Sequence, residues 1–153
     1  MPKELSFLQK NHNNTKRDYL QRMQNNKVFC MGIAKKYEKD YWDGDRKYGY
    51  GGYKYIPGRL TSIAKKIIKK FRLNNSSKIL DVGCGKGFLL YEIKKILPGA
   101  TVVGLDISKH GIKNCHPSLK NNLKIFNAKK KLPFKNGQFD LALSFGLYHN
   151  FSI

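Results

Sequence analysis

Between residues 81 and 87 the chain reads Asp81-Val82-Gly83-Cys84-Gly85-Lys86-Gly87, a carboxylate followed by three glycines at alternate positions. Such a run can bring a ligand against bare backbone, because glycine carries no side chain and reaches positive φ without steric cost. A second carboxylate, Asp106, stands 23 residues after Gly83. That is close to the offset of about 20 at which a second-strand acid meets ribose hydroxyls in nucleotide-binding sheets. The spacing separates the ligand classes. A nucleoside-triphosphate loop requires Gly-x-x-x-x-Gly-Lys-Ser/Thr, but Gly85-Lys86 is followed by Gly87-Phe88, with no hydroxyl for magnesium. A dinucleotide fingerprint places glycines at relative positions 1, 3 and 6. Here they stand at 1, 3 and 5, which disfavours that class.

These residues need a strand before the loop and a helix after it. Lys78 to Val82 is a short β-type run, and Phe88 to Leu97 reads as a helix that stops at Pro98-Gly99. Thr101 to Leu105 predicts a second strand ending at Asp106, followed by a short helix over about Ser108 to Asn114. Leu123 to Phe126 predicts a third strand, and Phe139 to Ser144 a fourth after the turn Lys135-Asn136-Gly137. Strands alternating with helices indicate an α/β fold, a Rossmann-like parallel sheet with helices on both faces. Upstream, Leu60, Ile63, Ala64, Ile67, Ile68 and Phe71 trace an amphipathic helix whose other face is Lys65, Lys66, Lys69 and Lys70.

Residues 1–40 read as an interrupted polar helical layer. Tyr19, Leu20 and Met23 form one stripe and Val28, Met31 and Ala34 another, divided by Asn25-Asn26. The block from Asp43 to Arg59 has too many glycines for a helix and too many tyrosines for a plain linker, so it predicts an ordered loop with a function. The expected division is an N-terminal helical extension with a Tyr/Gly-rich loop over 1–59, and a ligand-binding domain over 60–153.

Composition narrows the rest. In 153 residues, 30 Lys plus Arg oppose 10 Asp plus Glu, giving a formal charge of +20, with 41% hydrophobic residues to build a core. The charge invites RNA as a partner. Yet 25 of the 30 basic residues are Lys, and Lys lacks the bidentate fork with which Arg reads phosphate and guanine. No apolar run approaches the roughly 18 residues of a membrane span, and no secretory signal opens the chain. A cytoplasmic protein is expected, without membrane contact. Cys30, Cys84 and Cys115 are odd in number and widely spaced, which predicts reduced thiols. His12, His110 and His116 show no ligand spacing with Cys115, so no metal site is expected.

The loop Asp81 to Gly87 resembles the first motif of the class I S-adenosylmethionine-dependent methyltransferases. Val103-Gly104-Leu105-Asp106-Ile107-Ser108 is similar to their second-strand motif, Leu132-Pro133-Phe134 to the segment before the fourth strand, and Phe139 to Ser144 to that strand. The blocks cover about residues 78–150. Tyr41 to Arg59 more weakly resembles an N-terminal segment of some bacterial members. The resemblance implies S-adenosylmethionine as cofactor, with Gly83, Cys84, Gly85 and Gly87 against its methionine part and Asp81 toward its ammonium. It further implies Asp106 on the ribose, Ile107 on the adenine face, Asn127-Ala128 at the adenine edge, and Ser144 at the methionine end. Family members ordinarily continue with three more strands, so the chain is expected to be truncated, with C-terminal strands of the usual fold missing and an apolar fourth strand exposed to self-association.

A small-molecule or sugar methyl acceptor is expected, with RNA as the alternative and a non-catalytic remnant as a third reading. His149 is the best-placed base for an acceptor that must lose a proton. The Tyr/Gly loop has three readings. Tyr53 or Tyr55 could face the sulfonium as a lid with Arg59 on a carboxylate; the tyrosines could stack bases; or they could dock the N-terminal layer.

Overall fold

The computed structural model describes residues 27–145 and residue 147. Helices α1 (Lys27–Ala34) and α2 (Lys39–Asp43) precede the loop, and α3 (Thr61–Lys70) leads into β1 (Lys78–Val82). Then come α4 (Phe88–Ile96), β2 (Thr101–Asp106), α5 (Lys109–Lys113), a single 3₁₀ turn at Pro117–Leu119, β3 (Leu123–Ile125) and β4 (Leu141–Leu143). The described strands form one sheet in the order β3-β2-β1-β4, and every pairing is parallel. The order reverses at β1, which has β2 on one side and β4 on the other. Crevices for ligands open outside the carboxyl ends of strands at such a switch point.

Helix α3 forms because its apolar residues recur at helical spacing, and it buries Ile63, Ala64 and Ile67 against α4. Lys69 and Lys70 in its last turn oppose the negative end of the helix dipole. Ile79, Leu90, Ile93 and Val102 are fully buried and join β1, α4 and β2 into one core with α3. Ser108 caps α5 by accepting from Gly111 N at 2.8 Å.

The last two strands are shorter than the pattern predicts. Pairing continues past β3 only as Phe126 N donating to Asp106 O, and ahead of β4 as Asp140 N donating to Lys78 O. At the N-terminus α1 forms, but none of its residues is buried, and Val28 and Met31 are 83% and 47% exposed. The Val28-Met31-Ala34 stripe therefore makes no layer against the domain; the aromatic residues from Tyr37 to Tyr53 do. The Tyr19-Leu20-Met23 stripe lies outside the described residues, as does His149. Among the described residues no helix is long and apolar enough to cross a membrane, and no cluster of His, Cys, Asp and Glu could hold a metal ion.

Candidate functional site

Strand β1 ends in a loop that folds back on β2. Gly83 N and Cys84 N both donate to Leu105 O, at 2.7 and 3.0 Å. Gly83, Gly85 and Gly87 have φ of +82°, +57° and +72°, a left-handed path that any side chain would strain. Only Gly83 of the three lines the pocket that opens here. The space at the other two is filled by the protein itself: a Cβ on Gly85 would come within 2.7 Å of the Trp42 ring, and one on Gly87 within 2.7 Å of Leu123. Cys84 also packs inward, over Gly104. Burial pushes its thiol far up, with the nearby charges of Asp81 and Asp106 adding to the effect, so it supplies no thiolate.

Asp106 ties this loop to the next turn. Its Oδ2 accepts from Gly85 N at 2.7 Å and its Oδ1 from Ser108 N at 2.8 Å. Burial raises its pKa against the lowering effect of those backbone donors. Each carboxylate oxygen retains a second lone pair for a ligand hydroxyl. Asp106, Ile107, Phe126, Asn127 and Ala128 line the pocket together with Gly83, Phe145 and Leu147. Ile107 is 47% exposed, an apolar side chain on the pocket wall. Asn127 Oδ1 accepts from Lys129 N at 3.0 Å, which orients the amide and leaves both N–H donors and one oxygen lone pair for a ligand.

Two buried polar atoms have no hydrogen-bond partner among the described residues: Asp81 Oδ1 and Ser144 Oγ. Asp81 lies on β1 opposite Leu143, the last residue of β4, and Ser144 follows directly after that strand. Burial, then the charge of Asp106, lifts the Asp81 carboxyl to about 7. Neither Asp81 nor Ser144 lines the pocket itself, whose wall includes their near neighbours Gly83 and Phe145. Buried polar groups without partners are rare and costly, and a carboxyl raised toward neutrality is a candidate functional group.

The roof of the pocket is the main feature that sequence reasoning missed. Tyr37, Tyr41, Trp42 and Tyr50 line it. Trp42 stacks on Tyr50 at 5.2 Å between ring centroids, while Tyr41 meets Tyr37, Trp42 and Tyr50 edge-on at 5.3, 5.0 and 5.4 Å. Trp42 Nε1 donates to Ser108 Oγ at 2.8 Å and to Tyr37 O at 2.9 Å. The Glu38 carboxylate accepts from Lys109 N and His110 N at the start of α5. One signal was available in the sequence: four of the ten acids, Glu38, Asp40, Asp43 and Asp45, crowd around the only Trp.

The residues expected to form a lid lie elsewhere. Tyr53 stacks on Phe88 at 5.1 Å and leans on Trp42 and Tyr50, behind the roof. Burial lifts its phenol to about 12, with the Tyr50 and Asp81 charges adding and Arg59 opposing. The Tyr55 hydroxyl bonds Glu92 Oε1, whose other oxygen accepts from Thr61 Oγ1 at 2.5 Å. Tyr55 thus fixes the loop to α3 and α4. Neither tyrosine nor Arg59 is part of the pocket wall.

Residues 79–153 match a family described as a methyltransferase domain. Over an 81-residue alignment the chain is 32% identical to a malonyl-[acyl-carrier protein] O-methyltransferase of Legionella pneumophila, spanning 47% of this chain and 26% of that protein. A crystal structure from Methanococcus maripaludis, assigned to the S-adenosyl-L-methionine-dependent methyltransferases, superposes with a TM-score of 0.52 at 22% identity. It covers 61% of this chain, which spans 44% of that one, and the likeness is one of fold. The chain therefore spans about a quarter of the curated relative and under half of the solved structure.

Proposed function

From the premise that residues 79–153 belong to the class I S-adenosylmethionine-dependent methyltransferase family, we propose that this chain forms the cofactor half-site of a methyltransferase acting on a small-molecule or sugar acceptor. The observation that carries the reading is the pair of unpartnered buried atoms, Asp81 Oδ1 and Ser144 Oγ, at adjacent strand ends. An acid and a hydroxyl there suit the ammonium and carboxylate of a methionine moiety. Asp106 would hold the ribose, and Ile107, Phe126 and the Asn127 amide the adenine, under the aromatic roof. When bound, S-adenosylmethionine supplies a methyl group activated as a sulfonium.

The side chains then contribute orientation and exclusion of water. Tyr41, Trp42 and Tyr50 close the pocket from above. Burial holds Tyr41 and Tyr53 as neutral phenols at pH 7, so neither removes a proton from the acceptor. His149 is proposed for that role. An anionic oxygen acceptor would need no base, and the carrier-bound acyl group in the Legionella relative's name belongs to such chemistry. The cytoplasmic placement is part of the same proposal and is supported by three unpaired cysteines.

Titrating S-adenosylhomocysteine into the purified chain is expected to raise its melting temperature with saturation, because a ligand of the folded state stabilises by mass action. No rise at millimolar ligand, with the protein shown to be folded, would sink the reading.

One observation favours RNA as the acceptor. All eight lysines between Asp106 and Asp140 are exposed, no acid lies among them, and Lys129 reaches the pocket wall. On this reading, affinity for single-stranded RNA falls steeply between about 50 and 200 mM salt, as phosphate contacts require. Absence of binding at low salt, or binding indifferent to salt, eliminates it.

A further inference from the structure

The lysine of the glycine loop is spent inside the protein. Lys86 Nζ lies 2.7 Å from both oxygens of Asp43 and donates to the carbonyl of Tyr53 at 2.7 Å, and its side chain is only 5% exposed. Removing an ammonium from water costs several kcal/mol unless its partners replace the hydration. Here three acceptor atoms do so.

Those partners all belong to the segment that carries the roof and backs it. Asp43 is the last residue of α2, directly after Tyr41 and Trp42, and its Oδ1 also accepts from Tyr53 N at 3.1 Å. Its Oδ2 meets His110 Nε2 at 2.6 Å. Burial pushes Asp43 up, but the hydrogen bonds from His110 and Lys86 outweigh it and hold the carboxyl below its ordinary value. The remaining clamps, Trp42 to Ser108 and Glu38 to the start of α5, fix the roof to the β2 side of the pocket. Among the described residues, Lys86 makes the polar contact that ties it to the loop that follows β1.

We propose that Lys86, paired with Asp43, is a positioning residue that seats the aromatic roof over the glycine loop and so sets the height of the cofactor pocket. Lys86 touches no ligand in this scheme. It acts through α2, holding the Trp42 ring above Gly85, where a Cβ would already be too close. The pocket's role as a cofactor site rests on the family reading above; the seating of the roof does not.

Trp42 is the only Trp in the chain, so its emission reports the roof with no ligand present. In Lys86→Met, emission is expected to shift to the red and to become more open to acrylamide quenching. Affinity for S-adenosylhomocysteine is expected to fall about 10- to 100-fold, the range for loss of one charge-assisted hydrogen bond. Adding Asp43→Asn to Lys86→Met should cost less than Asp43→Asn costs in the wild type, because the pair is lost once and only the His110 and Tyr53 contacts of Asp43 are left to weaken. If Lys86→Met does not fold, Asp43→Asn carries the same two readouts. Unchanged emission and quenching overturn the proposal, even with weaker binding, since Lys86 would then act on the ligand directly. A red shift with unchanged affinity overturns it too. Should the wild-type chain bind no S-adenosylhomocysteine, the family reading fails, while emission still decides whether Lys86 seats the roof.

Discussion

Asp81→Asn is expected to weaken S-adenosylhomocysteine binding about 10- to 100-fold at pH 7 and to remove its dependence on pH between 5 and 7. The carboxyl is 4% exposed, and burial followed by the charge of Asp106 lifts it to about 7. Its value in the unfolded chain is the ordinary 3.8. Between those values the folded protein holds a proton that the unfolded chain has released. Stability of the unliganded protein therefore falls as pH rises from about 4 to about 7, and is lowest where the carboxylate is charged. Binding an ammonium reverses the preference, because an opposite charge nearby favours the carboxylate. The wild-type affinity should thus rise with pH up to about 7, by at most tenfold per unit, with a proton released on binding. Asparagine keeps the shape and cannot ionise. The variant should melt higher than wild type at pH 8, by a smaller margin at pH 5, and bind weakly at every pH between 5 and 7. Calorimetric titration at three pH values decides it. Wild-type-like affinity in the variant would remove Asp81 from the site.

The parts of this site that sequence reveals are those written in local pattern. The strand, glycine loop and helix from Lys78 to Ile96 follow from a change of hydrophobic period around three glycines, and the structure has them at those positions. Asp106 was legible because its distance from the loop is set by one helix and one strand. Other features depend on which surfaces meet. The Val28-Met31-Ala34 stripe has helical spacing and yet stays exposed, because period shows what a helix could bury and not whether a partner exists. The structure buries Glu92 between the Tyr55 and Thr61 hydroxyls, a pairing across 31 and 37 residues that no local pattern announces. Gly85 and Gly87 read as room for a ligand, and the room belongs to Trp42, Leu119 and Leu123. Contacts across 43 residues, such as Lys86 to Asp43, leave no mark in any short window.

Trp42→Ala should cost about 3–5 kcal/mol of stability, the range for truncating a buried large aromatic, and abolish cofactor-site affinity. Trp42 is 7% exposed, stacks on Tyr50, and donates from Nε1 to Ser108 Oγ and Tyr37 O. Alanine leaves a cavity above the glycine loop and removes the donor shared by those two oxygens. Trp42→Phe separates the two effects. It retains most of the apolar contact and loses the N–H, which should cost less than the alanine change. The reciprocal change tests whether the ring or some wider disturbance is responsible. In the wild-type background Gly85→Ala meets both the Trp42 ring, 2.7 Å from the new Cβ, and an unfavourable φ of +57°. In the Trp42→Ala background only the strain in φ remains, about 1–2 kcal/mol. The second substitution should therefore be milder in the variant than in the wild type, a coupling of the kind that residues in contact show. Urea unfolding followed by far-ultraviolet circular dichroism reads all five proteins. Additive losses would mean that Trp42 does not rest on the glycine loop, and that the roof closes over the pocket some other way.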